Sequence, residues 1–310
     1  MILTVGTRGS KLSLVQTRQI LDEINTVLPQ LDFKIKVIKT LGDKESSKAL
    51  FTLDQKGIFE KEIDLAIEKG EVDLAVHSLK DVPILESKET IIAAIPKRNS
   101  PNDVLISRGN ISLAKLPKGA VIGTCSLRRM AQIKKIRPDL EVKPIRGNVD
   151  TRIQKVMRGD YDGIIVAEAG LKRMNLENQI TERFSVDQFT PSAGQGALAI
   201  VARKDNQKVL NLLEAINHSP SRAEVTAERT LVVSLKGGCR VPIGAIGRAK
   251  GENMSFYGCI FSLDGQTKLS SSTEGKINEA QELGKRVGRS LLEQGAKDLE
   301  AKWREKYGTW

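Results

Sequence analysis

The chain has 310 residues, 40% hydrophobic and 28% charged, the profile of a globular protein of two or three domains rather than a disordered or fibrous one. No apolar run reaches the roughly 18–20 residues of a membrane-spanning helix, which excludes a helical span. Lys and Arg outnumber Asp and Glu by 49 to 38, a net charge of +11, so an anionic partner is expected. Aromatic residues make up only 4%, which argues against a reader of single-stranded nucleic acid that stacks bases on rings.

Residues 1–6 read as a strand, not a secretory leader, and point to the cytoplasm. A turn at Thr7-Arg8-Gly9-Ser10 leads into a helix from Lys11 that ends before Pro29, with Ser10 as its cap. Phe33, Ile35 and Val37 alternate with lysines as a half-exposed strand. Residues 58–69 carry a helical apolar stripe stopped by Gly70, and residues 72–77 form a buried strand that delivers Ser78-Leu79-Lys80-Asp81-Val82-Pro83. A second apolar run spans residues 91–95.

The pattern then repeats. Residues 120–124 read as a strand, followed by a helix capped by Ser126 that ends before Pro138. Residues 141–145 are a strand, Arg146-Gly147 a turn, and Asn148 the cap of a helix closing at Gly159; residues 163–167 are another strand. Residues 219–235 form a helix with Pro220 in its first turn. Then come the loop Gly237-Gly238-Cys239-Arg240-Val241-Pro242, three strands near residues 243–248, 254–262 and 268–273, and one long helix over residues 278–302. Alternating strands and helices imply α/β units with ligands outside the carboxyl ends of the strands; the last third reads as a separate α+β unit.

Strand exits are where Arg8, Asp81, Arg128, Arg129 and Arg146 fall, with Arg152 close behind. Between Val121 and Arg173 twelve basic residues face six acidic ones, over half of the surplus charge. Guanidinium groups grip carboxylates or phosphates bidentately, and helix N-termini add backbone donors. These arginines therefore suit a polyanion, although pairing with local acids is open for any one of them. Asp81 suits hydrogen bonding to an N–H, stabilisation of a cation or proton transfer, or else a turn cap. Of the cysteines, Cys125 and Cys259 fit packing roles, whereas Cys239 follows two glycines and precedes Arg240, a setting that favours reactivity. No C-x-x-C pair exists, and His77 and His218 lack spaced partners, so neither a disulfide framework nor a metal site is expected.

Seven motifs resemble the porphobilinogen deaminase family, in its order: Gly6-Thr7-Arg8-Gly9-Ser10-Lys11-Leu12, Val76-His77-Ser78-Leu79-Lys80-Asp81-Val82-Pro83, Ile122-Gly123-Thr124-Cys125-Ser126-Leu127-Arg128-Arg129, Ile145-Arg146-Gly147-Asn148-Val149-Asp150-Thr151-Arg152, Ala169-Gly170-Leu171-Lys172-Arg173, Gly194-Gln195-Gly196-Ala197 and the Cys239 loop. The resemblance implies head-to-tail polymerisation of four porphobilinogen molecules with loss of ammonia, on a dipyrromethane cofactor joined to Cys239 as a thioether. Loss of the amine leaves an electrophilic azafulvene, which a soft thiol captures. Asp81 matches the catalytic aspartate. Lys80, Ser10, Asp43, Thr124, Ser126, Arg128, Arg129, Arg146 and Gly147 match cofactor-binding positions, and Arg8, Arg146, Arg152, Arg173 and Gln195 match substrate-binding positions.

The family's fold is α/β with three domains. The first two are like periplasmic binding proteins with mixed sheets, and the third is a smaller α+β domain with an antiparallel three-stranded sheet. Carried over, domain 1 is residues 1–95 plus 190–212, domain 2 residues 96–189 and domain 3 residues 213–310. The resemblance further implies a cytoplasmic monomer whose product passes to uroporphyrinogen-III synthase, with neither nucleic acid nor membrane as partner. Two departures stand out: Leu53-Asp54-Gln55-Lys56-Gly57 replaces a glycine-rich run, and Cys125 stands where Ser or another small residue is common. A non-catalytic anion-binding module would use the same arginines but has no need of Cys239 or Asp81.

Overall fold

The computed structural model describes residues 1–40, 61–83, 88–237 and 241–307. Its strands begin with β1 (Ile2–Thr7), β2 (Asp32–Val37), β3 (Leu74–Ser78), β4 (Thr90–Ala94), β5 (Asp103–Ser107), β6 (Val121–Gly123) and β7 (Glu141–Lys143). They continue with β8 (Gly163–Ala167), β9 (Glu182–Arg183), β10 (Leu198–Arg203), β11 (Ile243–Lys250), β12 (Asn253–Phe261) and β13 (Lys268–Lys276). The described helices begin with α1 (Lys11–Val27), α2 (Lys61–Glu68), α3 (Leu127–Ile136), α4 (Val149–Arg158) and α5 (Glu168–Arg173). After them come α6 (Gln207–Leu213), α7 (Ser219–Ser234), α8 (Ala280–Glu293) and α9 (Ala296–Tyr307).

One compact unit gathers the described chain up to Asn99 together with Gly196–Arg222. Its sheet has the order β2-β1-β3-β10-β4. β1 is parallel to β2 and β3, while β10 runs antiparallel to both β3 and β4. Apolar side chains on each face meet a helical layer: Val5, Leu74 and Ile200 pack with Ile20 and Ile24 of α1, and Ala75 and Val201 pack with Ile63 and Ile67 of α2. β2 lies at the sheet edge and stays half-exposed, as its apolar–lysine alternation requires.

The second unit holds Ser100–Gln195 and the described chain from Ala223 onward. Its five-stranded sheet has the order β7-β6-β8-β5-β9, with β6 parallel to β7 and β8 and with β5 antiparallel to β8 and β9. The three-stranded sheet β11-β12-β13 is antiparallel throughout. A cluster of Leu127 and Ala131 from α3 with Cys259, Phe261 and the fully buried Trp303 seals this sheet to the second one. The mixed α/β architecture with a small antiparallel third sheet agrees with the expectation from sequence.

Two expectations change in detail. The single helix over residues 278–302 is two helices, α8 and α9, because Gly295 adopts φ +98° and ends the first. β5, β9, β10, α5 and α6 lie in stretches where the residue pattern indicated no element.

Candidate active site

In the first unit, β1 and β3 are adjacent and parallel, with Val5 opposite Leu74 and Gly6 opposite Ala75. Their carboxyl ends therefore emerge on the same edge of the sheet. β3 runs into a single 3-10 turn, Leu79–Asp81. That turn is anchored by the fully buried Leu79, whose N–H donates to Ala197 O at 3.0 Å. Val82 closes it with a hydrogen bond to Leu79 O at 3.1 Å. The anchor leaves Asp81 exposed and Lys80 half-buried. Ser78, just before the turn, accepts a hydrogen bond from Gln16 Nε2 at 2.9 Å.

At the exit of β1, Arg8 is half-buried. Ser10 caps α1, its Oγ accepting from Ser13 N at 3.2 Å and donating to Ser13 Oγ at 2.8 Å. His77, in β3 just ahead of the Leu79–Asp81 turn, is enclosed; burial, with the nearby Arg8 charge, pushes its imidazole down to about 4. It is a neutral group at physiological pH.

In the second unit the parallel trio β7-β6-β8 likewise presents its carboxyl ends together. After β6, Thr124 Oγ1 accepts from Ser126 N at 3.1 Å, and Ser126 Oγ accepts from Arg129 N at 3.4 Å as the cap of α3. Cys125 donates its thiol to Ile145 O at 3.0 Å, tying this turn to the one after β7. The next residue is Arg146. Its Nε and Nη2 are buried with no hydrogen-bond partner among the described residues. Its carbonyl accepts from Lys155 Nζ at 3.1 Å.

Gly147 has φ +109°, and a Cβ there would stand 2.7 Å from Thr151 Cγ2, so the turn demands glycine. Asn148 caps α4, accepting from Thr151 N at 3.0 Å, and Arg152 Nε donates to Gly147 O at 2.8 Å. Arg173 ends α5, where burial pushes its guanidinium down to about 10.

Arg128 and Arg129 lie in the first turn of α3, as their spacing indicated, and the acid pairing left open from sequence is realised for both. Both are nearly enclosed and share one carboxylate, that of Asp103 at the start of β5. Arg128 Nη1 lies 2.8 Å from Asp103 Oδ2, and Arg129 Nη2 and Nε donate to Asp103 Oδ1 at 2.7 and 2.9 Å. Burial alone would raise the Asp103 carboxyl, but the two guanidinium groups hold it below the usual carboxylate range, so it is ionised. Arg128 Nη1 also donates to Thr190 O at 2.7 Å. Gln195, fully buried, accepts from Arg129 Nη2 at 3.5 Å and donates to Pro101 O at 2.6 Å. Asp103 escaped the residue pattern; an acid directly ahead of the apolar run Val104-Leu105-Ile106 is the signal that marks it.

The fold thus groups Arg8, Ser10, Lys80 and Asp81 on one sheet edge, and Thr124, Ser126, Arg146, Gly147 and Arg152 on another. Asp43 and Cys239 lie outside the described residues, as do Leu53-Asp54-Gln55-Lys56-Gly57. Among the described residues no group of three or more His, Cys, Asp or Glu could hold a metal ion. No helix there is long and apolar enough to cross a membrane.

Two family models match. "Porphobilinogen deaminase, dipyromethane cofactor binding domain" covers residues 3–211, and "Porphobilinogen deaminase, C-terminal domain" covers residues 222–293. The probable porphobilinogen deaminase of Nitrosopumilus maritimus is 47% identical over 306 residues, 99% of this chain and 98% of that protein. The porphobilinogen deaminase of Syntrophomonas wolfei is 46% identical over 293 residues, 94% of this chain and 96% of that one. Among solved structures, the second substrate-binding domain of a putative amino acid ABC transporter from Streptococcus pneumoniae aligns with a TM-score of 0.44 at 13% identity, over 69% of this chain and 90% of that chain. On its two family models and its near-full-length relatives, the chain belongs to the porphobilinogen deaminase family.

Proposed function

We propose that the chain joins four porphobilinogen molecules head to tail into the linear tetrapyrrole hydroxymethylbilane, releasing ammonia at each step. The product grows on a dipyrromethane primer anchored through a thioether to Cys239. When bound, that primer supplies a free pyrrole α-carbon as the nucleophile. The observation that carries the proposal is Arg146, a guanidinium at a strand-to-helix turn with two buried nitrogens that no described residue satisfies. A buried polar group in that state suits an anionic ligand, and each pyrrole of the substrate brings an acetate and a propionate. The donor set around it, built from hydroxyls, a glycine turn and helix starts, fits a group rich in carboxylates.

Within this proposal Lys80, Ser10, Asp43, Thr124, Ser126, Arg128, Arg129, Arg146 and Gly147 would hold the primer. Arg8, Arg146, Arg152, Arg173 and Gln195 would bind the carboxylates of substrate. Asp81, on a rigid turn, would stabilise positive charge developing on the substrate pyrrole as its amine leaves, accept pyrrole N–H bonds and move protons. The three domain spans given above, a monomeric state, a cytoplasmic location and delivery of product to uroporphyrinogen-III synthase belong to the same proposal. The test is the intact mass of the denatured chain purified from cells that make porphobilinogen. An excess of two pyrrole units, absent from Cys239→Ser, is expected. An unchanged excess in the variant overturns Cys239 as the anchor, and an unmodified wild-type mass overturns the primer itself and favours a plain anion-binding module.

A further inference from the structure

We propose that Asp103 is the positioning residue of the Arg128–Arg129 pair, fixing both guanidinium groups while leaving one positive charge for a carboxylate of the bound primer to neutralise. The proposal rests on the functional assignment above, in which these two arginines serve the primer. Asp103 is fully buried, and each of its carboxylate oxygens faces a different arginine: Oδ2 meets Arg128 at 2.8 Å, and Oδ1 takes two donors from Arg129 at 2.9 and 2.7 Å. Arg128 lies over the Phe189 ring, 5.8 Å from its centroid, and its Nε is buried without a hydrogen-bond partner among the described residues.

Two guanidinium groups against one carboxylate leave a net charge of +1. Among the described residues no second acid pairs with either arginine. A cluster built only for stability would be neutral, since an unmatched charge in a low-dielectric interior is costly. Residual charge held in fixed geometry is what a site for an anion requires, because its dipoles and charges are set before the ligand arrives. Asp103 reaches the arginines across a long sequence interval from β5, an interior strand of its sheet, so its carboxylate is held as rigidly as the sheet itself.

The test compares kcat and KM for porphobilinogen in the holoenzyme and in Asp103→Asn, counted per primer-loaded molecule by intact mass and assayed well below each protein's unfolding midpoint. Mispositioned arginines misplace the primer rather than the incoming monomer. Folded Asp103→Asn is therefore expected to keep KM within about twofold while kcat falls about a hundredfold. A purely structural role lowers the unfolding midpoint and leaves kcat per folded molecule intact; a folded variant with kcat within about twofold of wild type overturns the proposal. Should Asp103→Asn fail to fold, Asp103→Glu keeps the charge but lengthens the arm. It is expected to show the same split at about tenfold in kcat, and wild-type constants in a folded Asp103→Glu overturn the proposal. An active wild type with unaffected variants rejects only this inference, whereas a wild type with neither primer mass nor turnover rejects the functional assignment as well.

Discussion

Asp81 and His77 are four residues apart on the same chain segment, yet one is exposed and the other enclosed. The difference follows from β3 ending between them: His77 is still in the sheet, whereas Asp81 ends a turn pinned by Leu79. Because Asp81 is exposed, Asp81→Ala is expected to leave the unfolding midpoint within about 2 °C of wild type. It should lower turnover by a hundredfold or more, on the order of what a positioned acid–base group contributes. Circular dichroism melts and a steady-state assay decide it, and a variant that unfolds would mark Asp81 as structural.

His77 carries a pH dependence. Its buried imidazole titrates at about 4, while the unfolded chain takes up the proton near 6.5. Between those values the unfolded state binds more protons, so stability rises with pH. The contribution is complete above about pH 6.5 and is lost as pH falls toward 4, with a full value of about 3 kcal/mol. Unfolding free energies from urea melts should fall by about 2 kcal/mol more between pH 7 and pH 4.5 in wild type than in His77→Gln. The basic residues of the site were legible one by one, because Arg and Lys at helix starts announce themselves by type and place. Their pairing was not: Arg129 meets Asp103 across 26 positions of sequence, and no local pattern records which acid a folded chain will bury beside it.

At the scale of elements, caps and glycines carried most of the legible signal. Ser10, Ser126 and Asn148 each cap the helix that their side-chain chemistry indicated, and Gly159 closes α4 with φ +89°. The strand exits fall where turn residues interrupt apolar runs, which is why the candidate site could be placed before any tertiary contact was known. The break between α8 and α9 was missed because a glycine inside a charged helical pattern costs only about 1 kcal/mol and does not by itself end a helix. Gly265, in the turn between β12 and β13, gives a sharper case. It has φ +74°, and a Cβ there would stand 2.2 Å from Ala131 O of α3. Gly265→Ala is therefore expected to destabilise the second unit by about 3 kcal/mol, read as a lowered urea midpoint with an unchanged slope.

Across the whole molecule, both five-stranded sheets repeat one plan: a parallel trio, β2-β1-β3 or β7-β6-β8, followed by a strand antiparallel to both of its neighbours, β10 or β5. β10 completes the first sheet only after the chain has built the second. Glu228 of α7 shows what such an arrangement demands of a single side chain. Fully buried, it accepts Gly194 N at 2.7 Å and Gly247 N at 2.9 Å, joining the chain ahead of β10 to β11. In Glu228→Gln one of those N–H groups would face an amide donor, so a loss of about 2 kcal/mol in unfolding free energy is expected; a neutral outcome would mean that the carboxylate is dispensable there.

Residue type and spacing alone determined the alternation of strands and helices, the caps, the strand-exit positions of Arg8, Asp81 and Arg146, and the family, because propensity, capping and motif order are local properties of the chain. Only the tertiary structure decided the insertion of β10 beside β3, the burial of Asp103 between two arginines and the neutrality of His77. Each of those depends on which distant segments exclude water together, and desolvation is set by the packed fold rather than by neighbours in sequence.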